Sequence, residues 1–167
     1  MTKNRKIVFA GIVIIIAIAS VLLIMIFSYP KANVLIKFSL QPSDVYYSSY
    51  YFVLYDDATL KCFFGERDTD DIKADKYMHK IRKYTKTKLN ELEFNWLIGQ
   101  ANELVESGFV NSGMECNEWY YVTLFYNGLV YREVYQYSQS EIINEISEHI
   151  LRLAPMSIQL GSWYWYE

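Results

Sequence analysis

Two cysteines and two histidines are the residues of this 167-residue chain best suited to covalent chemistry. A cysteine nucleophile needs a neighbouring histidine to form its thiolate. Cys62, Cys116, His79 and His149 stand at unrelated spacings, and no local signature surrounds either cysteine. Asp68-Thr69-Asp70-Asp71 opens like a calcium loop, which wants oxygen ligands at alternating positions. Counting on from Asp68, the third ligand position is Ile72, the glycine position is Lys73 and the twelfth is His79. The pattern fails, and an acidic turn capping the next segment is expected instead. The two histidines make no zinc motif, and no phosphate-binding glycine loop, G-x-S-x-G or H-E-x-x-H occurs. No catalytic residue, metal or cofactor is therefore expected. An envelope enzyme whose cysteine or carboxylate site assembles only in three dimensions stays as the alternative.

Cys62 and Cys116 allow one disulfide. Closing that loop would contribute about 4 kcal/mol in the chain-entropy model, and an oxidising compartment would permit it. Sequence alone does not place the sulfurs.

Two surfaces are more informative. From Lys73 to Lys88 the basic residues are Lys73, Lys76, Lys80, Arg82, Lys83, Lys86 and Lys88, against the single acid Asp75. Such a run suits contact with anionic lipid or an anionic wall polymer, or else an edge strand kept from aggregating by its lysines. The second surface is aromatic. All 16 tyrosines follow residue 28, and the chain ends Trp163-Tyr164-Trp165-Tyr166-Glu167. This end reads as a closing strand, with a bilayer-interface belt or a partner anchor as the other readings. With Tyr120, Tyr131 and Tyr135 it forms a candidate aromatic binding surface.

These surfaces need elements to hold them. Residues 7–28 carry no charge, and 15 of the 22 are Ile, Leu, Val or Phe. As a helix they would extend about 33 Å, matching a hydrocarbon core of about 30 Å. The run is too long for a cleaved signal peptide and is not followed by an A-x-A site. Lys3, Arg5 and Lys6 precede it, which holds the N-terminus in the cytoplasm. The expected organisation is a basic tail (1–6), a single transmembrane signal-anchor helix (7–28), a short stalk (29–33) and an extracytoplasmic domain (34–167). Stalk and domain together (29–167) hold 13 basic and 19 acidic residues, a formal charge of −6, which disfavours nucleic acid as a partner.

Within the outer domain, Val34 to Leu40 alternates as a strand does. Tyr50 to Tyr55 and Thr59 to Phe64 flank Asp56-Asp57-Ala58 as a hairpin. Trp119 to Tyr126 and Leu129 to Tyr137 flank Asn127-Gly128, the dipeptide that tolerates positive φ at both turn positions. That turn sets Tyr126 opposite Leu129, Leu124 opposite Tyr131 and Val122 opposite Glu133. Asn90 with Glu93 caps a helix ending at Gly108, and Ser138 with Glu141 caps a second that stops before Pro155. Residues 68–88 fit a helix or a strand equally well.

The expected fold is α+β: two β-hairpin/helix units forming a small antiparallel sheet with helices on one face. The expected role is a membrane-anchored binding module of a bacterial cell envelope. Its partner would be an envelope protein, or anionic lipid or wall polymer. The full chain should therefore stay in the membrane pellet after alkaline carbonate, and protease added outside intact cells should remove a C-terminal tag. Release by carbonate, or a protected tag, would refute the topology.

Overall fold

The structure, a computed structural model, describes residues 15, 16, 18, 20, 32–42, 48–110 and 120–159. The chain divides into two compact units, Met1–Ala32 and Asn33–Glu167. In the first, Ile15, Ile16, Ile18 and Ser20 are helical, and Ser20 Oγ donates to the Ile16 carbonyl at 2.8 Å. Among the described residues no helix is long and apolar enough to cross a membrane. Most of the stretch 7–28 lies outside the described residues, so the span stays an expectation.

Among its described residues the second unit is one six-stranded antiparallel sheet with two helices. Its strands are β1 (Val34–Pro42), β2 (Ser49–Tyr55), β3 (Thr59–Arg67), β4 (Met78–Lys88), β5 (Tyr120–Tyr126) and β6 (Leu129–Val134). Helix α1 (Glu91–Glu106) follows β4, and helix α2 (Glu141–Leu153) follows β6. The strand order is β4-β3-β2-β1-β5-β6. Strand β1 lies at the centre, antiparallel to β2 on one side and β5 on the other. The antiparallel sheet with two helices is the expected α+β architecture, extended by β1 and β4 beyond the two hairpins. Four strands run as a meander before α1, and the second hairpin then pairs with the first strand.

The hairpin registers follow from local turn chemistry. Asn127 and Gly128 both take positive φ (48° and 82°), and the pairs Tyr126–Leu129, Leu124–Tyr131 and Val122–Glu133 form as the turn dictates. The other hairpin turns through Ala58 at φ 61°. There Asp57 accepts from the Thr59 amide and hydroxyl, both at 3.0 Å.

Both faces of the sheet are apolar, and each has its own cover. On one face Ile36, Phe38, Leu40, Phe52, Leu54 and Leu124 are almost fully buried, sharing a core with Leu97 and Leu104 of α1 and Ile143 and Ile146 of α2. Fully burying one such side chain is worth about 1.5–3 kcal/mol. On the other face Tyr51 and Val53 form a smaller core with Ile72, Tyr77 and Met78. Residues 68–77, left open between helix and strand, are an irregular loop that covers this face, and β4 begins at Met78. Tyr77 stacks on Tyr51 at 4.5 Å and donates to Gln41 Oε1 at 2.7 Å. Arg67 closes the loop, meeting Asp70 at 2.9 Å and Ser49 Oγ at 3.2 Å. The loop is a lid on the sheet.

Both helices begin at sequence-encoded caps. Asn90 and Glu93 make the reciprocal capping box of α1, and Gly108 leaves the helix at φ 66°. For α2 the cap is Ser140, whose hydroxyl accepts from the Ile143 amide at 3.4 Å. Ser138, the expected cap, instead accepts from the Ser140 amide at 3.0 Å. Tyr137 and Ser138 still belong to the turn, so the helix starts two residues later. Beyond α2, Ile158 packs on the main core and the Gln159 amide donates to the Tyr50 hydroxyl at 3.1 Å.

Strand β4 follows β3 through two register shifts, between Phe64 and Gly65 and between Glu66 and Arg67. At the first, a Cβ on Gly65 would lie 1.9 Å from the Lys80 carbonyl oxygen. Only glycine fits there. Gly99, in the interior of α1, has nothing within 4 Å of a built Cβ. We expect Gly65→Ala to destabilise the domain by about 1–3 kcal/mol and Gly99→Ala to stabilise it by about 0.5–1 kcal/mol, as read from urea unfolding. Equal effects would show that the shift at Gly65 is misplaced.

Candidate functional site

Charge is the property that this fold sorts most clearly. Strand β4 pairs with β3 alone, so among the described residues its outer backbone edge has no partner strand. All seven basic side chains from Lys73 to Lys88 are exposed, with Ile81 and Tyr84 exposed among them. On β4 extended backbone explains this arrangement: alternation sends successive side chains to opposite faces, and past Met78 neither core holds a residue of the strand.

Intramolecular partners engage part of the row. Arg82 Nη2 meets Glu66 Oε1 at 2.6 Å, and Lys80 approaches the same carboxylate at 3.7 Å. The Arg82 hydrogen bond leads in holding the Glu66 carboxyl below its ordinary value. Lys88 lies 3.6 Å from Asp57 Oδ2 and also donates to the Asp57 carbonyl. The backbone bond from Thr59 is the main cause of the lowered Asp57 value, with Lys88 adding to it. Lys86 stands directly across from Lys61, a like-charge pair. Lys61 relieves it by turning to Tyr55, with Nζ 4.4 Å from the ring centroid and 3.3 Å from the hydroxyl. Lys83 and Lys86 have no ion pair among the described residues.

The helices carry the opposite sign. Helix α1 contains Glu91, Glu93, Glu103 and Glu106 and no basic residue, while α2 contains Glu141, Glu145 and Glu148 against Arg152. Six of the seven glutamates are exposed, and Glu93 is half-buried. Two elements thus hold a formal charge of −6, as much as the whole outer part of the chain.

Between the helices lies an open cavity of about 450 Å³ lined by Trp96, Glu145, Glu148, His149 and Arg152. The Trp96 and His149 rings stack with centroids 4.2 Å apart. Arg152 Nη2 lies 2.6 Å from His149 Nδ1. A guanidinium only donates, so Nδ1 accepts and the imidazole is neutral. Burial pushes the His149 value down and the Arg152 charge adds to this, while Glu93 pulls the other way. The Glu145 and Glu148 carboxylates have no hydrogen bond or ion pair among the described residues. Sequence reasoning missed this groove because α1 and α2 meet only in three dimensions.

The remaining candidates are placed as follows. Cys62 is a free thiol with no exposed surface, facing the main core beside its cross-strand partner Thr85. Burial raises its value to about 11, which Thr85 offsets only in part, so the thiolate is scarce at neutral pH. Cys116 lies outside the described residues. Tyr131 is buried in the main core, and Tyr120 and Tyr135 are partly buried against it. Of the aromatic surface, these three serve packing first, because alternation points Tyr131 at the helices. Trp163, Tyr164, Trp165 and Tyr166 lie outside the described residues. The acidic turn behaves as expected from its sequence: Asp71 Oδ1 accepts from the Lys73 amide at 2.9 Å, and Asp70 pairs with Arg67. Asp68 stands 3.8 Å from His79.

No protein-family model matches this chain, and neither a curated protein nor a solved structure shows a match to it.

The His149 environment makes a signed prediction. Its folded value lies below the ordinary 6.5, so the unfolded chain binds more protons as pH falls through 6.5. The associated stability is complete above pH 6.5 and is lost toward the folded value. His149→Gln should remove this part of the acid sensitivity in urea unfolding between pH 7.5 and 5. An NMR titration midpoint above 6.5 would contradict the Arg152 contact.

Proposed function

We propose that this chain is a single-pass membrane-anchored, extracytoplasmic interaction module whose contact surface is the basic edge strand β4. The observation that carries the reading is the exposure of five basic residues on β4, with Lys73 and Lys76 on the loop before it, along an edge with no partner strand among the described residues, in a domain that is otherwise acidic. An edge strand this basic is protected against self-pairing by like-charge repulsion. It stays open to an acidic or anionic partner, through main-chain pairing or through charge alone. The anchor rests on the charge-free stretch 7–28 and the basic residues before it. The enzyme alternative loses its better-placed nucleophile, since the Cys62 thiol is enclosed in the core.

The full chain, crosslinked in envelope extract, provides the test. Changing Lys76, Lys83 and Lys86 to Gln should lower partner recovery at least about tenfold, since each basic group near an anionic surface contributes about 1 kcal/mol. High salt should do the same to the wild type. Recovery that withstands both changes would remove β4 as the contact surface.

A further inference from the structure

We propose that the acidic partner of β4 is a second copy of this chain: Lys83 or Lys86 of one copy, which leave the edge strand on opposite faces, docks on Glu145 and Glu148, beside Trp96, of the next. This rests on the reading of β4 as the contact surface and names what it contacts.

Four observations converge on a head-to-tail contact. The chain carries both halves of a complementary pair, five basic residues on the edge strand β4 and seven glutamates on two helices. Lys83 and Lys86 have no ion pair among the described residues, and Glu145 and Glu148 have none either. The open cavity beside those glutamates, about 450 Å³, has room for a lysine side chain. Its Trp96–His149 stack offers an apolar wall for the methylene stem while the ammonium meets a carboxylate. Arg152 does not quench the site, because its guanidinium is turned to His149 Nδ1.

The same charges exclude contacts between like surfaces. Matching β4 to β4 would oppose lysines to lysines, and matching helices to helices would oppose glutamates to glutamates. Only the unlike surfaces attract. The contact is made twice in a reciprocal pair of copies, or it propagates into a row or closes into a ring. Ion pairs at an exposed surface are weak singly and screened by salt. Confining the copies to one membrane raises their effective concentration and lets such a contact operate.

The test uses the full chain in detergent micelles, mixing copies of natural and ¹⁵N isotopic composition. A carbodiimide joins lysine to carboxylate with no spacer, and mass spectrometry then separates links within a copy from links between copies. We expect mixed-isotope links from Lys83 or Lys86 to Glu145 or Glu148, weakening at high salt. A Lys83→Glu/Lys86→Glu variant alone should lose them, as should Glu145→Lys/Glu148→Lys alone. Mixed one to one, the two variants present reversed charges to each other. The native surfaces attract one another and so do the two substituted ones, so the mixture should restore links between copies, with the two variants alternating along the row. Circular dichroism of each variant separates lost contact from lost fold. Links found only within a copy, or unchanged in the folded variants, would overturn the proposal. If self-links are absent while the lysine variants still lose an envelope partner, self-association fails and the β4 surface stands. If neither is lost, both fall.

Discussion

A sheet that is apolar on both faces must be covered twice, and most of this domain follows from that requirement. Strand β1 makes the demand plain. Ile36, Phe38 and Leu40 point to one side and are buried under the helices, while Ser39 and Gln41 point to the other and are just as inaccessible. The first cover is bought by amphipathic helices that present Leu97, Leu104, Ile143 and Ile146. The second is a ten-residue loop without regular structure. It succeeds because a few directed contacts hold it down: the Tyr77 stack and hydrogen bond, the Arg67 ion pair, and Lys37 Nζ donating to the Lys73 carbonyl at 3.0 Å. Burial and its neighbours Tyr77 and Tyr55 raise the Tyr51 value, so that hydroxyl stays neutral beneath the lid.

The distribution of charge is a consequence of the same layering. Apolar faces turn inward on sheet and helices alike, so ionisable groups collect on the outer helix surface and at the sheet's ends. Strand β4, with one strand neighbour among the described residues, receives a row of lysines that an interior strand has no place for. The outcome is a domain whose net charge sits almost wholly on α1 and α2, with five of its basic residues lined along one edge. Such a division favours directional contacts and makes them sensitive to ionic strength.

Local features were legible in the sequence, and long-range ones were not. The Asn127-Gly128 turn set the β5–β6 register, and Asn90 with Glu93 marked the start of α1, since each involves residues within a few positions. That β5 flanks β1 depends on pairings 78 to 90 residues apart, and no local pattern carries that. Ser138 and Ser140 are equally good caps by type, and the turn through Gln136 at φ 64° decides between them. Residues 68–88 resisted assignment because the segment changes role midway, from a lid held by Tyr77 to an exposed edge strand. The basic row was visible as composition. Its exposure along a free edge was not, nor was the groove that joins Trp96 to His149.

The most direct test of β4 as the contact surface is photocrosslinking of the full chain in its own membrane. A photoreactive residue placed at Lys86 should give a discrete high-mass adduct that disappears at high salt. The same probe at Asn127, on the β5–β6 turn, should give none. Adducts from Asn127 but not from Lys86 would contradict the assignment and move the contact surface to another part of the domain.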